Sequence, residues 1–318
     1  MSKKVFDDIR EGAEEAAAIM RGEAKMESVY NLPVGIHYNL AAAAYHADPC
    51  ERPSLSSSVA KILLEKTPRH AWTAHPRLNP NFAPKNESKF DLGSAVHELM
   101  LGKGVGYTII KAADYKGKDA QAARQQARQE GRIPLLHEQY LQAVGIAREA
   151  LDALAGMDVH LEDYRNEAVL ICEINGVLCR AMIDSIGRGI HQIWDIKTTS
   201  TGLSDFAIAK NVVNFGYDLS AAFYIRGYET LFKELAGRIE FRWIFVETEP
   251  PYEIRVIEAD ATTLEFGRRK AEAAISQWAA CIELGMWPGY PRDIGKIAYP
   301  SWAESAWLDR ELAEAGIE

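Results

Sequence analysis

The sequence predicts an α/β domain with a central mixed β-sheet flanked by helices. Three observations carry that reading. Apolar residues recur at helical spacing in segments before residue 155. The period then shortens to two between Glu167 and Thr198. Further on, Phe241–Glu247 (FRWIFVE) is a nearly continuous apolar run, as expected of a strand buried on both faces.

The elements follow in order. Residues 1–50 are expected to form an N-terminal helical arm, a candidate for flexibility, with EEAAAIMRGEAKM as its helical part. Ser54–Trp72 opens with hydroxyl residues suited to capping a helix. Val59, Ile62 and Leu63 then give helical spacing until Pro68 stops it. Phe90–Leu101 reads as a helix with Leu92, Val96, Leu99 and Met100 on its apolar side and His97 at its middle. Residues 111–134 are rich in Lys, Arg and Gln and read as a mobile or inserted polar element. A helix is expected from about 135 to 155.

The centre reads as an antiparallel meander. Glu167–Asn175 places Ala168, Leu170, Cys172 and Ile174 on one face. Asn175-Gly176 is a hairpin turn signal. Val177–Ile186 is the second strand, Gly187 to Gly189 the next turn, and Ile190–Thr198 the third strand. Helices near 203–211 and 217–233, strands at Phe241–Glu247 and Tyr252–Glu258, and a long helix over 261–284 complete a main domain assigned to 51–290. A tail over 291–318 carries Trp302, Trp307 and many acids.

Composition narrows the function classes. The chain has 318 residues, 47% of them hydrophobic and 25% charged, which fits a globular protein with a sizeable core. No apolar run approaches the roughly 18 residues of a membrane span. The N-terminus shows no apolar signal core, so no membrane association and a cytoplasmic location are expected. Four cysteines without a C-x-x-C pair argue against a zinc or iron–sulfur site. Cys172 and Cys179 read as small buried core residues. A net charge of −9 excludes a chain coated in positive charge, but leaves room for a local phosphate-binding patch. Lys111, Lys116, Lys118, Arg124, Arg128 and Arg132 are candidates for one; a solvated insert is the plainer alternative.

Strand alternation puts Asp195, Lys197 and Ile193 on one face of the third strand. Asp184 shares a face with Met182 and Ile186 on the second, and the hairpin brings Asp184 next to Asp195. Two such carboxylates must take up protons unless a cation neutralises them. Mg²⁺ or Mn²⁺ suits oxygen ligands. Lys197, aimed at the same point, can hold or deprotonate a water for attack on a phosphodiester. Taken alone, D-x10-D-x-K also fits a solvated hairpin face.

Five segments carry a more specific pattern: SLSSSVAKILLEKTP, LGSAVHELML around His97, CRAMIDSI around Asp184, WDIKTT, and YDLSAAFYIRGY. Over Ser54–Tyr228 they resemble the PD-(D/E)XK nuclease superfamily, and within it the RecE-type (exonuclease VIII-like) exodeoxyribonucleases of phages and prophages. The resemblance implies a restriction-endonuclease-like core. It implies metal ligation by His97, Asp184, Asp195 and the Ile196 carbonyl, with Lys197 catalytic. Glu167 falls where relatives place an acid near the metal or its waters. Tyr224 matches the tyrosine of a Q-x-x-x-Y helix motif that positions DNA or the lysine, whereas Ser220 stands where that motif has glutamine. Ser57, Ser58, Arg124 and Arg128 are the further candidates for DNA contact. Plainer roles exist for His97 (a core or boundary histidine), Glu167 (a strand-end surface acid) and Tyr224 (packing).

The implied activity is Mg²⁺-dependent degradation of one strand of linear duplex DNA, 5′ to 3′, giving single strands for recombination. The implied partners are double-stranded DNA ends, further copies of the chain in a ring, and a single-strand annealing protein. The competing readings are a structure-specific or repair endonuclease of the same fold, and a non-catalytic DNA-binding module.

Overall fold

The computed structural model describes residues 31–83 and 91–316. In chain order, β1 is Gly35–His37, α1 Ala42–His46, β2 Leu55–Ser56, α2 Ser57–Glu65 and α3 Pro68–Thr73. Next come α4 Asp91–Leu101, β3 Tyr107–Ile110, α5 Lys118–Gln129, β4 Ile133–Leu136 and α6 His137–Ala155. The sheet segments β5 Arg165–Ile174, β6 Val177–Ile186 and β7 Gln192–Thr199 follow. Then come α7 Asp205–Asn214, α8 Tyr217–Leu231, β8 Glu240–Glu247, β9 Ile254–Glu258, α9 Ala261–Leu284 and α10 Ser301–Glu314.

The principal sheet has the order β1-β5-β6-β7-β8-β9, with β2 beside β6. β5, β6 and β7 form the expected antiparallel meander. β7 and β8 pair in parallel across the connection through α7 and α8, so the sheet is mixed. Both faces of β8 are buried. Phe241, Trp243 and Phe245 join the cluster under α7 and α8, while Ile244 and Val246 join the one under α4 and α6. Each such large side chain stabilises the fold by roughly 1.5–3 kcal/mol.

Local chemistry sets the helix ends. Ser56 caps α2 by accepting the Val59 N–H, and Pro68 starts α3 behind the Thr67 cap. Asp260 caps α9, and Gly285 ends it in the left-handed conformation.

Three expectations are corrected. The polar stretch 111–134 is not a loose insert. β3 and β4 pair in parallel with α5 between them, and Ala120 and Ala127 are buried on its inner face. The polar residues are simply the outer face of that helix. The boundary at residue 50 also fails, because β1 pairs with β5 and makes residues 35–37 an edge of the sheet. The rest of the expected arm, residues 1–30, lies outside the described residues, as does Phe90. Finally, β7 starts at Gln192 and not at Ile190, which takes a left-handed φ of 52° in the turn.

A buried polar cluster anchors β2 to β6. Asp48 accepts hydrogen bonds from the Ser54 N–H (2.9 Å) and Ser54 Oγ (2.6 Å), with His75 Nε2 at 3.2 Å and Arg180 Nη1 at 3.3 Å. Arg180 Nη1 donates to the Ser54 carbonyl and hydroxyl at 2.7 Å. This cluster fixes the segment that leads into α2. All four cysteines are buried thiols, and Cys172 faces Cys179 across β5 and β6.

A second unit, Gly289–Glu318, contains α10, in which no residue is buried. No helix among the described residues is long and apolar enough to cross a membrane.

Candidate active site

The site is built where the β6–β7 ladder stops. Ser185 pairs with Trp194 and Ile186 with Ile193, and the regular pairing ends there. Beyond it, the Ile196 N–H donates to Asp184 Oδ2 at 2.7 Å. A carboxylate therefore takes the backbone bond that a neighbouring strand would otherwise supply. This holds Asp184 against the Asp195-Ile196-Lys197 run. Lys197 Nζ lies 2.6 Å from Asp195 Oδ2 and 3.3 Å from the Ile196 carbonyl oxygen.

His97 reaches the same place from α4. His97 Nε2 is 3.0 Å from Asp184 Oδ2. The approach depends on Gly93, one turn earlier, where a Cβ would lie 2.7 Å from Thr198 Oγ1 of β7. The far end of α4 is held by Asn166, whose Nδ2 donates to the carbonyls of Leu101 (2.9 Å) and Leu161 (3.0 Å). Asn166 Oδ1 accepts from Ser185 Oγ at 2.7 Å, so one buried amide ties α4 to β5 and β6. Glu167 follows it, between the pairs Asn166–Ser185 and Ala168–Ile183, and therefore opposite Asp184. Its φ of 50° is an unusual left-handed value for a glutamate in a strand.

The charges are strongly perturbed. Burial works to raise the Asp184 carboxyl, but the His97 charge, its hydrogen bond and Lys197 hold it below the usual range. For Asp195, burial wins over Lys197, and the Asp184 charge pushes the carboxyl further up. Burial disfavours the charged forms of Lys197 and His97, yet Asp195 and Asp184 hold Lys197 above its ordinary value, and Asp184 with Glu167 does the same for His97. Glu167 is raised by burial and by Asp184, with His97 opposing.

Among the described residues, no three His, Cys, Asp or Glu side chains already converge as a metal cage. His97 and Lys197 engage the carboxylates instead. The donor set nevertheless suits a hard cation. Asp195 is only 2% exposed, and its Oδ2 meets the Lys197 ammonium group at 2.6 Å while the Asp184 charge acts on it as well. Two buried carboxylates brought together repel each other, and a bound cation would relieve that repulsion.

The remaining candidates divide. Tyr224 faces the site from α8, and burial with the Asp195 charge raises its hydroxyl well above the ordinary value. Ser57 is buried and donates to the Tyr224 hydroxyl at 3.4 Å, so it faces inward, whereas Ser58 is exposed. Ser220 Oγ turns back to the Gly216 carbonyl at 3.4 Å, within its own helix. Arg128 is engaged within the fold. It pairs at 2.5 Å with buried Asp91 at the start of α4. Arg124 stacks over the Tyr115 ring at 4.5 Å. Arg128 thus ties α5 to α4, and Arg124 packs within the β3–α5–β4 unit.

Two residues were missed in the sequence, Lys61 and Tyr217. Lys197 Nζ lies 5.1 Å and Lys61 Nζ 5.5 Å from the centre of the Tyr217 ring. Burial, and then the Lys197 charge, lower the Lys61 amine to about 8. Helical spacing held the signal. Lys61 is four residues after Ser57, and Tyr217 seven before Tyr224, so each pair shares a helix face.

A mixed sheet with two opposed aspartates and a lysine on adjacent strands, flanked by a helix bearing His97, defines a domain of the PD-(D/E)XK nuclease superfamily. The chain belongs to the family described as PDDEXK-like domain of unknown function (DUF3799), whose model matches residues 56–300. Among solved structures, a candidate exonuclease from Eubacterium rectale shares the fold. Its TM-score is 0.53 at 15% identity, over 80% of this chain and 93% of that one. A phage-related exonuclease from Haemophilus somnus 129PT gives a TM-score of 0.31 at 12% identity, over 60% and 95% of the two chains, too slight to carry an argument. No curated protein matches the chain.

Proposed function

We propose that this nuclease is a Mg²⁺-dependent exodeoxyribonuclease of the RecE type that degrades one strand of linear duplex DNA, 5′ to 3′. Mn²⁺ is expected to substitute. The observation that carries the metal-dependent reading is the convergence of Asp184 and buried Asp195, two carboxylates that repel each other, beside Lys197 and His97. The exonuclease reading is supported by the RecE-like segments and by the description of the E. rectale neighbour.

Asp184, Asp195 and the Ile196 carbonyl would hold the cation, joined by His97 once its Nε2 has given up its proton. A cation so held would supply Lewis-acid stabilisation of the negative charge developing on the phosphate. The protein's own groups do the rest. Lys197 Nζ orients the attacking water through its hydrogen bonds. Asp184, by accepting the Ile196 N–H, fixes the peptide that carries the Ile196 carbonyl. The water oxygen bonds to phosphorus as the bond to the departing sugar oxygen breaks, and a proton passes to that oxygen. Glu167, half-buried opposite Asp184, is placed to accept a hydrogen bond from a site water. Tyr224 would position the strand or Lys197.

The same proposal includes assembly into a ring around the duplex and cooperation with a single-strand annealing protein. Its test is a linear duplex labelled separately at each 5′ and 3′ end, incubated with and without Mg²⁺. Nucleotide release from the 5′ ends, with closed circular DNA left intact, is the expected result. Cleavage of the closed circle would replace the exonuclease reading with an endonuclease of this fold. No cleavage of either DNA would leave the non-catalytic reading.

A further inference from the structure

Lys61 has no assigned part in this chemistry, yet its position is well defined. It lies on α2, four residues after the Ser57 that touches Tyr224. Its stem rests on Gly216, which has a left-handed φ of 59°; a Cβ there would lie 3.2 Å from Lys61 Cδ and 3.3 Å from Cγ. The ammonium group is thereby directed over the Tyr217 ring, which it shares with Lys197. Among the described residues, other lysines near the site are committed: Lys197 to Asp195, Lys103 to the Asn166 carbonyl, and Lys270 to Asp218. Lys61 has no carboxylate within ion-pair distance among the described residues, and it is half-buried.

A half-desolvated ammonium next to a second cation, which Asp195, Glu65 and Asp218 reach only from beyond ion-pair distance, is unfavourable for folding alone. An anion between or beside the two lysines removes the penalty. We propose that Lys61 binds a second backbone phosphate of the nucleic acid, flanking the scissile phosphate at Asp195 and Lys197, with the Tyr217 ring as the rigid spacer between the two ammonium groups. The ligand class is therefore a polynucleotide with at least two consecutive phosphodiesters. This inference rests on the nuclease reading above. It also relocates the phosphate contacts from the α5 arginines, which are engaged within the fold, to the α2 face of the site.

The test measures binding rather than cleavage. Fluorescence anisotropy of a labelled duplex oligonucleotide, in Ca²⁺ or EDTA, is recorded for the full chain across a salt series. Removing one phosphate contact lowers the slope of log K against log salt by about 0.9. Lys61→Met, which keeps the stem and loses the charge, is expected to lower the slope by about that amount and weaken binding about tenfold at moderate salt. Lys61→Arg should restore both. Lys61→Gln supplies the same readout if Lys61→Met lowers the melting temperature. A wild-type salt slope in both neutral variants overturns the inference, whatever their cleavage rates. Failure of the nuclease reading shows separately, as wild-type protein that cuts neither linear nor circular DNA with Mg²⁺ or Mn²⁺.

Discussion

Asp48 and Asp195 are both buried aspartates beside a cation, yet they are opposites. Asp48 has its carboxylate closed off by Ser54, His75 and Arg180. Burial alone would raise it, but those partners outweigh burial and hold the carboxyl at about 2. Only Arg180 Nε in that cluster is left without a partner. Asp195 faces Lys197 and a second carboxylate, and burial with the Asp184 charge pushes it above the usual range. The first cluster is complete in the protein itself and serves the fold. The second holds two carboxylates that repel each other, which the proposed cation would complete. A local deficit of this kind is expected where function, not stability, selects the residues.

The largest effect expected from this contrast is on catalysis. Lys197→Ala or Asp195→Asn should reduce single-turnover cleavage of linear duplex by at least about 1,000-fold, roughly 4 kcal/mol in barrier. Duplex binding should survive, since these groups act at the reacting phosphate. Cleavage near the wild-type rate by Lys197→Ala would end the assignment of that lysine. Asp48→Asn, by contrast, should change the rate per folded molecule little.

Stability should reverse the order. Asp48→Asn breaks a buried pair and leaves Arg180 uncompensated, at a cost of about 3 kcal/mol in denaturant unfolding. Asp195→Asn breaks the pair with Lys197 but relieves repulsion with Asp184, and the two effects offset, so its unfolding free energy should stay within about 1 kcal/mol of wild type. Saturating Mn²⁺ should raise the melting temperature of the wild type and not of Asp195→Asn. Acid separates the two sites again. The folded value of Asp48, about 2, lies below the ordinary 3.8. Its stabilisation is therefore present above pH 4 and lost as pH falls towards 2, a change of about 2 kcal/mol. Asp48→Asn should flatten that part of the stability profile. Equal losses in the two variants would dissolve the contrast.

The two clusters also differ in how far they could be read from sequence. Asp184, Asp195 and Lys197 sit on a hairpin, where alternation and short range fix who meets whom. Val177–Ile186 and Ala261–Leu284 were legible for the same reason: a clear period and clear end signals. The Asp48 cluster joins residues far apart in the chain, as in the bond across 126 positions from Arg180 to Ser54, and no local pattern announces it. The β3–α5–β4 unit was misread because α5 buries little more than two alanines, which leaves composition almost wholly polar. Lys61 and Tyr217 have helical spacing to known partners, but their meeting depends on α2 and α8 packing side by side, a tertiary fact. His97 was legible as a candidate, whereas the reason it arrives beside Asp184 was not.

That reason yields the smallest and most specific prediction. Gly93 lets α4 approach β7 at Thr198. Gly93→Ala would bring a Cβ to 2.7 Å from Thr198 Oγ1, while the next nearest atom, Thr198 Cβ, is 3.8 Å away. A single hydroxyl thus creates the clash. Part of it can be relieved by rotation of Thr198, so the expected cost is about 1 kcal/mol, at the low end for overpacking. Thr198→Ala removes the hydroxyl, so Gly93→Ala in that background should cost close to nothing. Such non-additivity is measured by a double-mutant cycle. The cycle should appear in metal affinity as well as stability, because a shift of α4 moves His97 away from Asp184. If the two substitutions add simply, α4 is not positioned by this contact, and Asn166 alone must account for the placement of His97.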